Sequence, residues 1–100
     1  MTAASDAELV FSGPSAIAER VRAGDVHPRE LVELCLRRIE ALNPRLNAFR
    51  VTMAEQAMAE AEVMSDGPLA GVPIAIKDDL PVAGQVMTWG SRSHGPTQQE

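Results

Sequence analysis

Lys77 closes an apolar run, Val72-Pro73-Ile74-Ala75-Ile76, and is followed at once by Asp78 and Asp79. In an extended strand Val72, Ile74 and Ile76 share one face, while Pro73, Ala75 and Lys77 share the other. The lysine then sits among small side chains that leave room for a reacting group. Burial at such a place disfavours the ammonium form. A neutral amine is a general base and can activate a hydroxyl nucleophile. The plainer alternative is a charged lysine at a strand end, paired with Asp78, Asp79 or another acid. The spacing alone leaves both open.

Other chemically capable residues give weaker patterns. Asp78 and Asp79 are adjacent, so in a strand they point to opposite faces and form no acid/base pair by themselves. Their expected work is to fix the turn after Lys77 and to accept hydrogen bonds from backbone donors. His27 and His94 are far apart and Cys35 lies on a helical stripe, so no metal-ligand spacing emerges. Ser91 and Ser93 invite a Ser-Lys dyad, but Gly90-Ser91-Arg92-Ser93-His94-Gly95 is not a G-x-S-x-G elbow. No G-x-x-x-x-G-K pattern is present to cradle a phosphate.

Helices must position this stretch. A capping-box spacing at Ser5-x-x-Glu8 precedes Leu9, Val10 and Phe11, and Ser12-Gly13-Pro14 interrupts the pattern. The next helix is expected over about 15–23, with Ile17 and Val21 at i, i+4 and Gly24 as its stop. The clearest helix runs over about 28–42. Pro28 suits its first position, Glu30 suits its first turn, and Leu31, Leu34, Cys35, Ile39 and Leu42 form its apolar stripe. Asn43-Pro44 is expected to end it. Thr52-x-x-Glu55 has capping-box spacing and predicts a third, alanine-rich helix over about 52–65, carrying Met53, Met58 and Met64. The strand over about 71–77 follows, and then a turn through Leu80-Pro81-Val82-Ala83-Gly84.

Composition limits the functions available. The 100 residues carry 9 basic and 14 acidic side chains, a net charge of −5. This argues against a nucleic-acid binder, which usually presents a basic patch. No apolar run approaches the length of a membrane span, and the N-terminus MTAASDAE lacks the basic and apolar regions of a secretory signal. A single cysteine excludes an internal disulfide. A cytoplasmic location is therefore expected.

The run GPLAGVPIAIKDDLPVAG, followed by Thr88-Trp89-Gly90-Ser91, closely resembles the amidase signature family, without a gap from Gly67 to Ser91. The helical stretch AERVRAGDVHPRELVELCLRRIEALNPRLNAF is also similar to that family's N-terminal helices. His27 departs from the serine cap often found there. The resemblance implies an α/β fold, one large domain around a mixed twisted sheet. The present residues would supply its N-terminal helices and first strand, truncated before most of the sheet. It also implies a Ser-cisSer-Lys triad with Lys77 as the lysine, acting without metal or organic cofactor on a small-molecule amide. The family's T-x-G-S serine is not its nucleophile. Both triad serines belong to a Gly/Ser-rich stretch of the G-S-S-G-G-S kind, which these residues do not contain.

A strand such as 71–77 with few possible partners, and an end in polar loop residues, lead us to expect that residues 1–100 are the N-terminal portion of a single amidase domain. Such a piece would expose the surface meant for the sheet and would be inactive alone. Two other readings stay open. One is the amidase component of a tRNA-dependent amidotransferase. The other is a non-catalytic helical interaction module.

Overall fold

The computed structural model describes residues 3–63, 66–88 and 97–98. Its elements in order are α1 (Ala3–Val10), α2 (Pro14–Arg22), α3 (Pro28–Leu46), α4 (Ala54–Ala61), β1 (Val86–Met87) and β2 (Thr97–Gln98). The described structure is mostly helical. β1 and β2 pair antiparallel, with Val86 opposite Gln98 and Met87 opposite Thr97. The expected α/β sheet is not formed by the described residues.

Local chemistry sets the helix ends. Gly13, at φ 94°, turns the chain between α1 and α2, and Pro14 opens α2. α2 closes in a Schellman motif. The Asp25 N–H donates to the Arg20 carbonyl at 3.0 Å and the Gly24 N–H to the Val21 carbonyl at 3.1 Å, with Gly24 left-handed at φ 79°. His27 caps α3 with its ring: Nδ1 accepts the Arg29 N–H at 3.0 Å. The histidine is thus a working cap where serine was the familiar residue.

α3 does not end at Asn43-Pro44, contrary to the sequence pattern. It continues to Leu46 and stops at Asn47, which is left-handed at φ 49° and donates its N–H to the Asn43 carbonyl at 2.7 Å. Pro44 forfeits one ladder bond in the final turn, and the Asn43 side chain pairs with the chain just beyond the helix. Its Nδ2 donates to the Phe49 carbonyl at 2.9 Å, and its Oδ1 accepts the Phe49 N–H at 2.8 Å. The chain reversal is tied down by that pair.

α4 is shorter than the expected 52–65. Its N-cap is Met53, with no side-chain hydrogen bond, so the Thr52-x-x-Glu55 capping box is not made. The helix buries no residue. Its half-buried face, Ala54, Ala57, Met58 and Ala61, lies toward α3, and the mostly small side chains there give little apolar area to hold more than two turns. One exposed ion pair, Arg29 to Glu62 at 3.1 Å, links its end to the start of α3.

The core sits at the α1–α3 end. Leu9, Val26, Leu31 and Leu34 form a buried cluster, flanked by Val10, Ile17 and Val21. Elsewhere the apolar surface is thinly covered: Phe11, Leu46, Val63, Ile74 and Leu80 are all exposed. The radius of gyration, 15.0 Å, exceeds the roughly 13 Å of a compact domain of this length.

The strand expected over 71–77 is also corrected. Residues 72–77 adopt no regular element, and Ile74 is 77% exposed. A strand is stabilised by its partners, and this segment is paired with none among the described residues. Its start is nevertheless fixed. Gly71 is left-handed at φ 84° and lies against Pro28 and Val21, so close that an added Cβ would come within 2.8 Å of Pro28 Cγ.

Candidate active site

Lys77 follows the irregular segment and begins a turn, in which the Leu80 N–H donates to the Lys77 carbonyl at 3.1 Å. The burial that one of the two readings requires is not seen among the described residues. Its side chain is 81% exposed, and Nζ lies 3.2 Å from Asp79 Oδ2. Of the two states the sequence left open, the described residues hold the lysine in an ion pair. The cause is the same as for the missing strand, since no neighbouring strand covers the segment.

Asp78 is the better-anchored member of the pair of acids. Arg50 Nε donates to its Oδ2 at 3.1 Å, and Arg50 Nη2 to its Oδ1 at 3.3 Å. The Thr88 N–H donates to Oδ1 at 3.1 Å, and the Thr88 hydroxyl donates to Oδ2. Arg50 Nη2 also donates to the Val86 carbonyl. A forked guanidinium is suited to this two-oxygen geometry. The carboxylate therefore ties together the loop after α3, the Lys77 turn and the end of β1.

Lys77 and Asp78 contribute to the wall of an open groove of about 1490 Å³. Its other walls include Cys35, Leu36 and Ile39 from α3, with Phe49, Pro73 and Met87. That volume exceeds the roughly 300–1,000 Å³ of moulded small-molecule pockets. The feature is a trough with an apolar floor, not a finished binding cavity. Cys35 is half-buried on that floor. Burial pushes its thiol pKa up, against a smaller lowering by the Arg38 guanidinium.

The remaining candidates do not join Lys77. His27 is spent as the α3 cap. Ser91, Ser93 and His94 lie outside the described residues. Among the described residues no three His, Cys, Asp or Glu side chains gather to hold a metal ion, and no helix is long and apolar enough to cross a membrane. Arg50 was missed from sequence. It lies 28 residues from Asp78, in a connection with no periodicity, and only the fold brings it there.

Residues 30–98, which include Arg50, Lys77, Asp78 and Thr88, match the amidase family. The chain belongs to the amidase family. It is 44% identical over 96 residues to the protein named as an amidase, AmiB2, of Mycobacterium tuberculosis strain H37Rv, covering 89% of this chain and 21% of that protein. It is 43% identical over 86 residues to a glutamyl-tRNA(Gln) amidotransferase subunit of Synechococcus sp. strain CC9605, covering 78% of this chain and 18% of that protein. The corresponding glutamyl-tRNA(Gln) amidotransferase subunit of Thiobacillus denitrificans is 45% identical over 85 residues, with the same coverage. This amidase-family chain thus spans about a fifth of the length of these relatives. No solved structure matches it.

Proposed function

We propose that these residues are the N-terminal portion of an amidase-type hydrolase domain that cleaves the C–N bond of a carboxylic amide through an acyl-serine intermediate. Lys77 is the general base of a Ser-cisSer-Lys triad, and both serines belong to sequence beyond residues 1–100. The observation that carries this reading is the family match across residues 30–98, with Lys77 on the wall of the groove. In the reaction the lysine accepts a proton from the first serine. That serine takes one from the second, which attacks the amide carbonyl. To act as a base the amine must shed its proton. For Nζ to reach the serine, its ion pair with Asp79 Oδ2 must open.

The test is Lys77→Ala in the full-length protein, measured as ammonia release from a panel of small carboxylic amides. Turnover should fall to background. The variant should still fold, with a far-UV circular dichroism spectrum like that of the parent protein. Turnover near that of the parent protein would remove Lys77 from the mechanism. A second reading is favoured by the two relatives named as glutamyl-tRNA(Gln) amidotransferase subunits: the same amide chemistry, directed to an aminoacyl-tRNA. Amide turnover that depends on added charged tRNA would select it.

A further inference from the structure

We propose that Asp78, held by Arg50 and Thr88, is the positioning residue for Lys77. The inference rests on the amidase reading of Lys77 given above. A lysine amine ends a flexible four-carbon stem, so its location is only as well defined as the backbone that carries it. The Cα of Asp78 is one peptide unit, about 3.8 Å, from that of Lys77. Fixing the Asp78 side chain therefore fixes the base of the lysine stem. The anchors come from two directions, Arg50 at 28 residues upstream and Thr88 at 10 residues downstream. Lys77 is thus pinned to both the loop after α3 and the end of β1.

The geometry also separates positioning from substrate binding. An ionised carboxylate offers about four lone-pair sites. Here Oδ1 takes Arg50 Nη2 and the Thr88 N–H, while Oδ2 takes Arg50 Nε and the Thr88 hydroxyl. The carboxylate is fully engaged by protein donors, which leaves it no free lone pair for a substrate amide. Its side chain is 28% exposed, less than the 81% of Lys77. The anchor is sheltered while the amine it serves is presented outward.

The experiment uses the full-length protein and a fluorophosphonate, which phosphonylates an activated serine whatever the natural substrate. Labelling is followed by intact mass to give a maximal rate and a half-saturating concentration. Asp78→Asn keeps the shape but turns an amide donor toward Arg50 or Thr88. It should lower the maximal rate about a hundredfold, the scale of an ångström-sized misplacement, and leave the half-saturating concentration within twofold. Thr88→Val should act in the same direction, and Thr88→Ser, which restores the hydroxyl, should recover most of the rate. This pair decides the matter even where Asp78→Asn fails to fold. Lys77→Ala is run beside them. If it abolishes labelling while Asp78→Asn and Thr88→Val label at the parent rate, the positioning role is wrong and the amidase reading stands. If Lys77→Ala itself labels normally, both fall. A raised half-saturating concentration at unchanged maximal rate would make Asp78 a substrate contact and overturn the proposal.

Discussion

Gly71→Ala is the substitution whose effect can be worked most directly from the structure. Two costs add. The residue sits at φ 84°, where an L side chain meets its own carbonyl, a penalty of about 1–2 kcal/mol. The new Cβ would also lie 2.8 Å from Pro28 Cγ and 2.9 Å from Val21 Cγ1. Forcing a methyl into such a contact costs roughly 1–3 kcal/mol. Pro28 is a ring at the start of α3 and Val21 is stiff at χ1, so neither yields cheaply. The sum is about 2–5 kcal/mol, large for a chain with a small buried core. Gly24→Ala isolates the first cost, because Gly24 is left-handed at φ 79° with nothing within 4 Å of an added Cβ. Gly67→Ala has neither cost, and should be neutral or stabilise by a few tenths of a kcal/mol. Urea titrations of the three variants, followed by far-UV circular dichroism of the helices, should rank them Gly71, Gly24, Gly67 in order of damage. Equal midpoints for Gly71→Ala and Gly24→Ala would show that the contact with Pro28 and Val21 is not made, and the placement of the segment before Lys77 would have to be withdrawn.

Cys35 makes stability depend on alkaline pH. Burial raises its pKa above 9.0 in the folded chain, so the unfolded chain releases the proton first. The thiol's contribution is complete below about 9, the ordinary value, and is lost as pH rises through the higher folded value. Cys35→Ala should flatten that part of a stability–pH curve, and iodoacetamide at pH 8 should modify Cys35 more slowly than a free small thiol. At the other end of α3, Asn43→Ala should cost about 1–2 kcal/mol in the same urea assay by leaving the Phe49 N–H and carbonyl unpaired. Asn43→Asp, which keeps the acceptor and loses the donor, should fall between Asn43→Ala and the parent.

The helices were legible where a residue's local role decides the structure. Pro28 and Glu30 marked the start of α3, Gly24 marked the stop of α2, and Leu31, Leu34, Ile17 and Val21 fell in or beside the core. Rules that weigh only local spacing failed at two helix ends. α3 runs through Pro44 to Leu46, and Asn43 pairs with Phe49 just beyond it. Thr52 would have capped α4 on spacing alone, yet Met53 holds that place without a side-chain bond. At the site, the sequence singled out the run containing Lys77, Asp78 and Thr88 as one pattern. What it could not show was that Asp78 closes a loop to Thr88 and receives Arg50 from another part of the chain. Side-chain partners at such separations follow from the folded path and leave no periodic trace. The buried reading of Lys77 rested on a strand, and a strand's existence depends on pairing that its own residues do not encode.

The buried cluster of Leu9, Val26, Leu31 and Leu34 has a consequence for how the chain is made. All four residues lie within the first 34 positions, and the entropic cost of joining chain segments grows with the length of loop between them. Synthesis delivers these residues first, so the α1–α3 unit has its apolar partners in hand before Lys77 is joined to the chain. The groove wall bearing the lysine joins the chain only after these residues. Gly71, set against Pro28 and Val21, is where the later part of the chain meets that unit.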